Sequence, residues 1–213
     1  MAAWDSGARK NVRYRYSFMN LNNKYYILRH GEAVSNVKHI CSSWPEKFRN
    51  PLTQHGKEMI LAVAEMLKEN HAKHGHAIDM IFSSPLLRTK QTAGIVAKEL
   101  NVPVKFDKRL REVGFGALNN KPITQIRNYF KNENDRISRN FPRGETYQQI
   151  VDRMHAFLKE INKKYRGKNI LIVSHKAPLW MLENKVQGFT LAQGLKRNPE
   201  ELRIEKGQIK ELH

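Results

Sequence analysis

Short apolar runs that stop abruptly at a histidine, alternating with longer stretches of helical periodicity, constrain the fold of this chain more than any other feature. Lys24-Tyr-Tyr-Ile-Leu-Arg29 is dense in strand formers and stops at His30-Gly31, which reads as a buried strand running into a loop. Asn169-Ile-Leu-Ile-Val-Ser174 has the same character and ends on His175. Residues 78–82 and 102–106 are two further strand candidates. A helical stretch opens at Leu52-Thr53-Gln-His-Gly56 and sets Met59, Ile60, Val63 and Leu67 on one face. Another follows Ser83-Ser84-Pro85 and carries Thr92, Ile95, Val96 and Leu100. A third starts at Gly144-Glu145-Thr146, with Ile150, Val151, Met154, Phe157, Leu158 and Ile161 at helical offsets. Residues 122–141 are polar, basic and only weakly helical. The alternation predicts a mostly parallel sheet covered by helices on both faces.

In such sheets functional groups gather beyond the carboxyl ends of the strands. Arg29-His30 follows the first strand, Ser83 to Arg88 the second, Glu112 lies in the loop after the third, and His175 follows the last. Two histidines, two arginines and one glutamate are therefore expected on one rim.

Charge and length narrow the classes. At 213 residues the chain suits one domain, and 38 Lys and Arg against 20 Asp and Glu give a formal charge of +18. A field of that sign attracts phosphates, nucleic acid or small anions without saying which. Ten basic residues face four acidic ones between Lys105 and Arg143, and Arg9, Lys10, Arg13, Arg15 and Lys24 gather near the start. Residues 1–18 read as a flexible basic arm without the apolar core of a secretory signal, and 19–213 as the folded domain. No run approaches the ~18 apolar residues of a membrane-spanning helix. Cys41, the only cysteine, excludes a disulfide framework and fits a reducing compartment, so the cytoplasm is the expected location.

The rim chemistry suits a phosphoryl ester. Two guanidinium forks hold a tetrahedral dianion in one orientation. A neutral imidazole is a competent nucleophile, and nearby cations disfavour its protonated form, so Arg29 and Arg88 would keep His30 ready. Glu112 is the available acid for the leaving group. The arginines favour its ionised form and an arriving phosphate favours protonation, so the protonated acid is expected to assemble with substrate.

The motifs occur in a recognisable order: Leu28-Arg29-His30-Gly31-Glu32 with Asn36, Leu52-Thr53-x-x-Gly56, Ser83-Ser84-Pro85-Leu86-x-Arg88-x-x-Gln91-Thr92-Ala93, Glu112 with Phe115-Gly116, Gly144-Glu145-Thr146, and Val173-Ser174-His175. Together they resemble the histidine phosphatase superfamily, which holds the cofactor-dependent phosphoglycerate mutases and their phosphatase relatives. The resemblance implies a three-layer α/β/α sandwich and chemistry without metal or other cofactor. By matched position it implies His30 as the phosphorylated nucleophile, Arg29, Arg88 and His175 as the phosphate pocket, Asn36 as a further phosphoryl contact, and Glu112 as the proton donor.

The chain departs from the family pattern in places. Lys176 stands where glycine usually follows the second histidine, which puts the local turn geometry in question, and Ala33 stands where a hydroxyl residue is common. Glu112-Val-Gly-Phe-Gly116 resembles the phosphatase branch rather than the mutases. The expected activity is hydrolysis of phosphorylated small molecules; phosphoglycerate-mutase-type transfer is the alternative, and a non-catalytic binder of polyanions or nucleic acid is the rival suggested by the +18 charge. No membrane partner is expected. Lysines and arginines in 121–143 and beyond suggest a second phosphate or carboxylate on the substrate.

Plainer accounts exist for other features. Glu112 beside Arg109 and Arg111 could simply pair with them. His71-x-x-His74-x-His76 lacks a carboxylate or cysteine to complete a metal set and reads as solvated loop residues. Cys41 lacks the arginine and glycines of a cysteine-dependent phosphatase loop, and Ser174-His175 lacks the glycines of a nucleophile elbow.

Overall fold

The computed structural model describes residues 20–75, 77–197 and 203–212. The basic arm expected over 1–18 and His76 lie outside the described residues. In chain order the elements are β1 (Lys24–Arg29), α1 (Val34–Val37), α2 (Gln54–His74), β2 (Met80–Ser83), α3 (Leu87–Leu100), β3 (Val104–Phe106), α4 (Ile123–Arg127), α5 (Glu133–Ser138), α6 (Tyr147–Lys164), β4 (Asn169–Ser174), α7 (Lys176–Val186), α8 (Leu191–Arg197) and β5 (Ile209–Leu212).

The strands form one sheet in the order β3-β2-β4-β1-β5. The pairs β1–β4, β2–β4 and β2–β3 are parallel, and β5 runs antiparallel to β1. Alternation along each strand divides the interior into two layers. Tyr25, Ile27, Phe82, Ile170 and Ile172 pack with Met154 and Phe157 of α6 and Leu179 and Trp180 of α7. Leu28, Ile81, Leu171 and Val173 pack on the other face with Ile60 and Ala64 of α2 and Ala93 and Val96 of α3. Each fully buried aliphatic side chain contributes about 1.5–3 kcal/mol relative to exposure. Neighbouring residues of one strand thus hold opposite layers, which gives the sandwich the motifs implied.

Helix boundaries follow local chemistry. Thr146 caps α6: its hydroxyl accepts the Gln149 amide hydrogen bond at 3.0 Å, and the Gln149 side chain accepts that of Thr146 at 2.8 Å. Thr53 caps α2 by accepting from the Gly56 amide at 2.9 Å, and Gly75 ends that helix in the left-handed region at φ 70°.

Several details differ from the sequence reading. The edge strand β5 was not expected, because Ile-Lys-Glu-Leu is too short to declare itself without β1 beside it. Strands β2 and β3 start two residues later than the apolar runs suggest. The basic stretch resolves into α4 and α5, which bury Ile126. His71 sits on the last turn of α2, exposed, rather than in a loop. Lys176 is the first residue of α7 and is absent from the left-handed region, so glycine is not required there by the backbone.

Candidate active site

Because β4 lies between β1 and β2, the three loops leaving their carboxyl ends are adjacent. Register completes the alignment: Arg29 sits opposite Ser174, and Ser83 opposite Val173. The next residue out on β1 and on β4 is a histidine, and the His30 and His175 rings meet edge to face with centroids 5.1 Å apart. The loop after His30 is pinned backbone to backbone against the start of α2. A Cβ on Gly56 would stand 2.0 Å from the Glu32 carbonyl oxygen, which explains the glycine there. Thr92 adds a second pin, its hydroxyl accepting from the Gly31 amide at 3.3 Å and donating to the Arg88 carbonyl at 2.8 Å. Gln91 holds the approach to α2, its side-chain carbonyl accepting from the Leu52 amide at 2.7 Å.

Arg88 joins the two histidines. Its Nε donates to His30 Nε2 at 3.2 Å, and one Nη donates to His175 Nδ1 at 3.1 Å and to the Ser42 carbonyl at 2.9 Å. Guanidinium nitrogens only donate, so both ring nitrogens facing Arg88 must be acceptors. The remaining nitrogens therefore carry the protons: His30 Nδ1 donates to the Gly31 carbonyl at 2.7 Å, and His175 Nε2 donates to Ser84 Oγ at 2.9 Å. Both imidazoles are neutral in this arrangement. Burial, then Arg88 and Arg29, hold the His30 ring well below the ordinary histidine range, against the pull of the Gly31 carbonyl. His175 is lowered in the same way by burial, then Arg88.

Arg29 leans toward the segment that precedes β5, donating to the Ile204 carbonyl at 3.2 Å and reaching Glu205 at 3.5 Å. The backbone of Gly207 in turn donates to the Arg29 carbonyl at 3.1 Å. Glu112 accepts from its neighbouring Val113 amide at 2.9 Å. Its loop is tethered from the motif at the head of α6: Glu145 accepts from the Gly114 amide at 2.7 Å and pairs with Arg153 at 2.9 Å, while Arg153 donates to the carbonyls of Arg109 and Glu112. Burial raises the Glu112 carboxyl above its usual range, outweighing the opposing pull of Arg88 and Arg29. The sequence reading expected the arginines to keep it ionised until substrate arrived. Desolvation works against that pull, so an arriving phosphate has less to add before the carboxyl takes its proton. Of the two partners that the plainer account offered Glu112, Arg109 is engaged with Asp107 at 2.6 Å and Glu160 at 2.8 Å, and Arg111 donates from Nε to the Lys108 carbonyl at 3.0 Å.

A cavity of about 170 Å³ opens over these groups. Arg29, His30, Asn36, Arg88 and Glu112 line it, whereas His175 stands behind Arg88 and is fully buried. Asn36, at the end of the turn formed by α1, accepts from the Ala33 amide at 2.9 Å. Cys41 also borders the cavity, with its thiol pushed up to about 12 by burial and by Glu112, which makes it a poor nucleophile. Ser84, which fixes His175, lay within a quoted motif but drew no role. Arg203 also lines the cavity, and nothing in its sequence surroundings could have flagged it. Chemically, the arrangement offers a neutral nucleophile, two guanidinium forks and a carboxyl that burial pulls toward its protonated form, all over one small space.

The family model described as histidine phosphatase superfamily (branch 1) matches residues 25–208. The protein named probable phosphoglycerate mutase GpmB of Escherichia coli O1:K1 / APEC is 31% identical over 168 residues, covering 76% of this chain and 74% of that protein. Among solved structures, the alpha-ribazole phosphatase from Shigella flexneri aligns with a TM-score of 0.71 and 23% identity, covering 88% of this chain and 89% of that one. Bacillus stearothermophilus YhfR aligns with a TM-score of 0.72 and 24% identity over 89% and 90% of the two chains. At those identities the structural likeness speaks for the fold.

Proposed function

The chain belongs to branch 1 of the histidine phosphatase superfamily, and we propose that it is a phosphomonoesterase acting on small phosphorylated molecules through a phosphohistidine at His30, without metal. One observation carries this reading: a single buried guanidinium, Arg88, bridges His30 and His175 at 3.2 and 3.1 Å beside a cavity that also presents Arg29 and Glu112.

In the first half-reaction the lone pair on His30 Nε2 forms the N–P bond as the ester P–O bond breaks. Arg29 and Arg88 hold the equatorial oxygens, Asn36 adds a contact, and His175 backs the pocket by fixing Arg88. Glu112 gives its proton to the departing oxygen, so the alcohol leaves neutral. In the second half-reaction the Glu112 carboxylate takes a proton from water as that water attacks phosphorus, and the N–P bond breaks to return neutral His30. Positioning and charge stabilisation supply most of the rate, as phosphoryl transfer demands.

The test is phosphate release from a panel of phosphorylated metabolites with chelator present, together with trapping of phosphoprotein by an alkaline denaturing quench. Acid-labile, base-stable label on the wild type and none on His30→Ala is the expected result. Label on a different residue overturns the covalent route. A mutase reading draws on the similarity to GpmB of Escherichia coli. Incubation with phosphoglycerates separates the two: isomer formation outpacing phosphate release would favour transfer to a second hydroxyl over transfer to water.

A further inference from the structure

A second cavity, of about 540 Å³, adjoins the first at Glu112, which lines both, and shares no other wall residue with it. The phosphoryl-transfer steps draw on none of the others. Three segments form it, at 43–47, 111–119 and 143–153. The buried Asn119 side chain accepts from the Ser43 amide at 2.9 Å and donates to the Ser43 and Pro45 carbonyls at 3.3 and 3.0 Å, so the chain is held on either side of Trp44. A Cβ on Gly116 would stand 2.1 Å from the Pro142 carbonyl oxygen, and one on Gly144 2.1 Å from that of Gly114, so the other two segments pack backbone on backbone. A ligand entering this space meets walls already in place, and little ordering opposes its binding.

Trp44 is 53% exposed although its backbone is fixed. The Arg111 guanidinium lies 5.6 Å from the centre of the ring, within cation–π reach, which orients the indole and leaves its opposite face open. An indole held in this way is a stacking platform for a flat ring. Arg111 spends its Nε on the Lys108 carbonyl at 3.0 Å, while its terminal nitrogens have no hydrogen bond among the described residues.

The charge of the walls selects an anion. Lys47, Arg111, Arg143 and Arg153 stand against Glu112 and Glu145, and Arg153 is already paired with Glu145 at 2.9 Å. Lys47 and Arg143 are exposed and make no ion pair among the described residues. Burial holds the Arg111 pKa below the ordinary arginine range, and the neighbouring Arg153 adds to that against the pull of Glu145. An anion at Arg111 relieves that repulsion. A flat ring carrying a phosphate meets both demands at once, the ring on Trp44 and the phosphate on the Arg111 fork.

We propose that this cavity is a nucleotide-binding site separate from the phosphoryl pocket, with a base stacked on the open face of Trp44 and its phosphate held by Arg111. The proposal stands whether or not the chain cleaves esters. A free mononucleotide and one unit of a single strand offer the same chemistry, and the formal charge of +18 would favour either.

The experiment is calorimetric binding of AMP, adenosine and ribose 5-phosphate to the full chain carrying His30→Ala, so that no ester is consumed. AMP should bind about tenfold more tightly than either fragment, since only it supplies both base and phosphate. Adding Trp44→Ala should weaken AMP by about five- to 150-fold and leave ribose 5-phosphate within about twofold, whereas Trp44→Phe should keep most of the affinity. Arg111→Gln should weaken AMP by about fivefold or more. In the protein with His30 intact, Trp44→Ala should leave turnover of p-nitrophenyl phosphate unchanged. A hexaadenylate RNA separates the two sources: Trp44-dependent binding tighter than that of AMP, falling steeply with salt, points to a strand, and binding no tighter than AMP points to the free nucleotide. Affinity for both AMP and the hexamer that Trp44→Ala leaves unchanged places them in the phosphoryl pocket alone and overturns the site, as does failure of both to bind. Should Trp44→Ala fail to fold, Arg111→Gln carries the comparison, and unchanged AMP affinity there overturns the site.

Discussion

At the floor of the cavity His30, Arg88 and His175 are 3%, 2% and 0% exposed, and hydrogen bonds fix both rings through one guanidinium. The outer wall is built differently: α4 and α5, of five and six residues, bring Ile123, Ile126, Arg127 and Arg136 to the same space, and Arg127 is exposed. Helices of that length hold only through tertiary packing. The floor hangs from the parallel core strands, where moving one ring would disturb Arg88 and then the other ring. The wall hangs from a basic loop region whose side chains can change without touching the reacting atoms. The contrast teaches that rigidity is concentrated at the two rings and the guanidinium between them, and that variation can be absorbed at the rim.

That division can be broken or sharpened by measurement. The largest effect belongs to the floor: His30→Ala should lower phosphate release by about 10⁴-fold or more, since no other group replaces the nucleophile. A loss of only a few fold in steady-state assays would show that the floor does not carry the chemistry. Glu112→Gln should cost about 10²–10⁴-fold on alkyl phosphates yet far less on p-nitrophenyl phosphate, whose leaving group needs no proton. Equal losses on both would remove Glu112 from the acid role.

The pH profile gives the next scale. His30 is lowered well below the usual histidine range, so kcat/KM should rise with pH only in the acid region, where the ring loses its proton, and should be complete before pH 6.5. Glu112 is raised, so the required protonated acid should survive above the ordinary glutamate range before activity falls, by about tenfold per pH unit on the alkaline limb. A rise centred above pH 6.5 would contradict a neutral His30 at the floor. The smallest effect belongs to the wall: Arg127→Gln, at an exposed position, should raise KM by about two- to threefold with little change in kcat. A tenfold fall in kcat instead would erase the distinction between wall and floor.

The floor was legible from sequence because both histidines directly follow strand ends and Arg88 lies five residues past β2, and strand runs such as 24–29 and 169–174 announce themselves by composition. Glu112 was legible by motif, but the upward pull on its carboxyl was not, since desolvation depends on what folds over it from elsewhere in the chain. The role of Glu145 was equally hidden. Gly144-Glu145-Thr146 marks a helix start, yet Glu145 acts backward through Gly114 and Arg153 on the loop that bears Glu112. Arg203 and β5 escaped for one reason: each is defined by a partner far away in sequence, Trp180 for the first and β1 for the second.

That last pairing has a consequence for biosynthesis. Strand β1 leaves the ribosome early, but the residues that pair along its outer edge and grip Arg29, Ile204 to Leu212, follow the other described elements in the chain. Contacts of such long sequence separation close slowly and late. A nascent chain therefore carries His30 through much of translation with the flanking Arg29 still without its Ile204 contact.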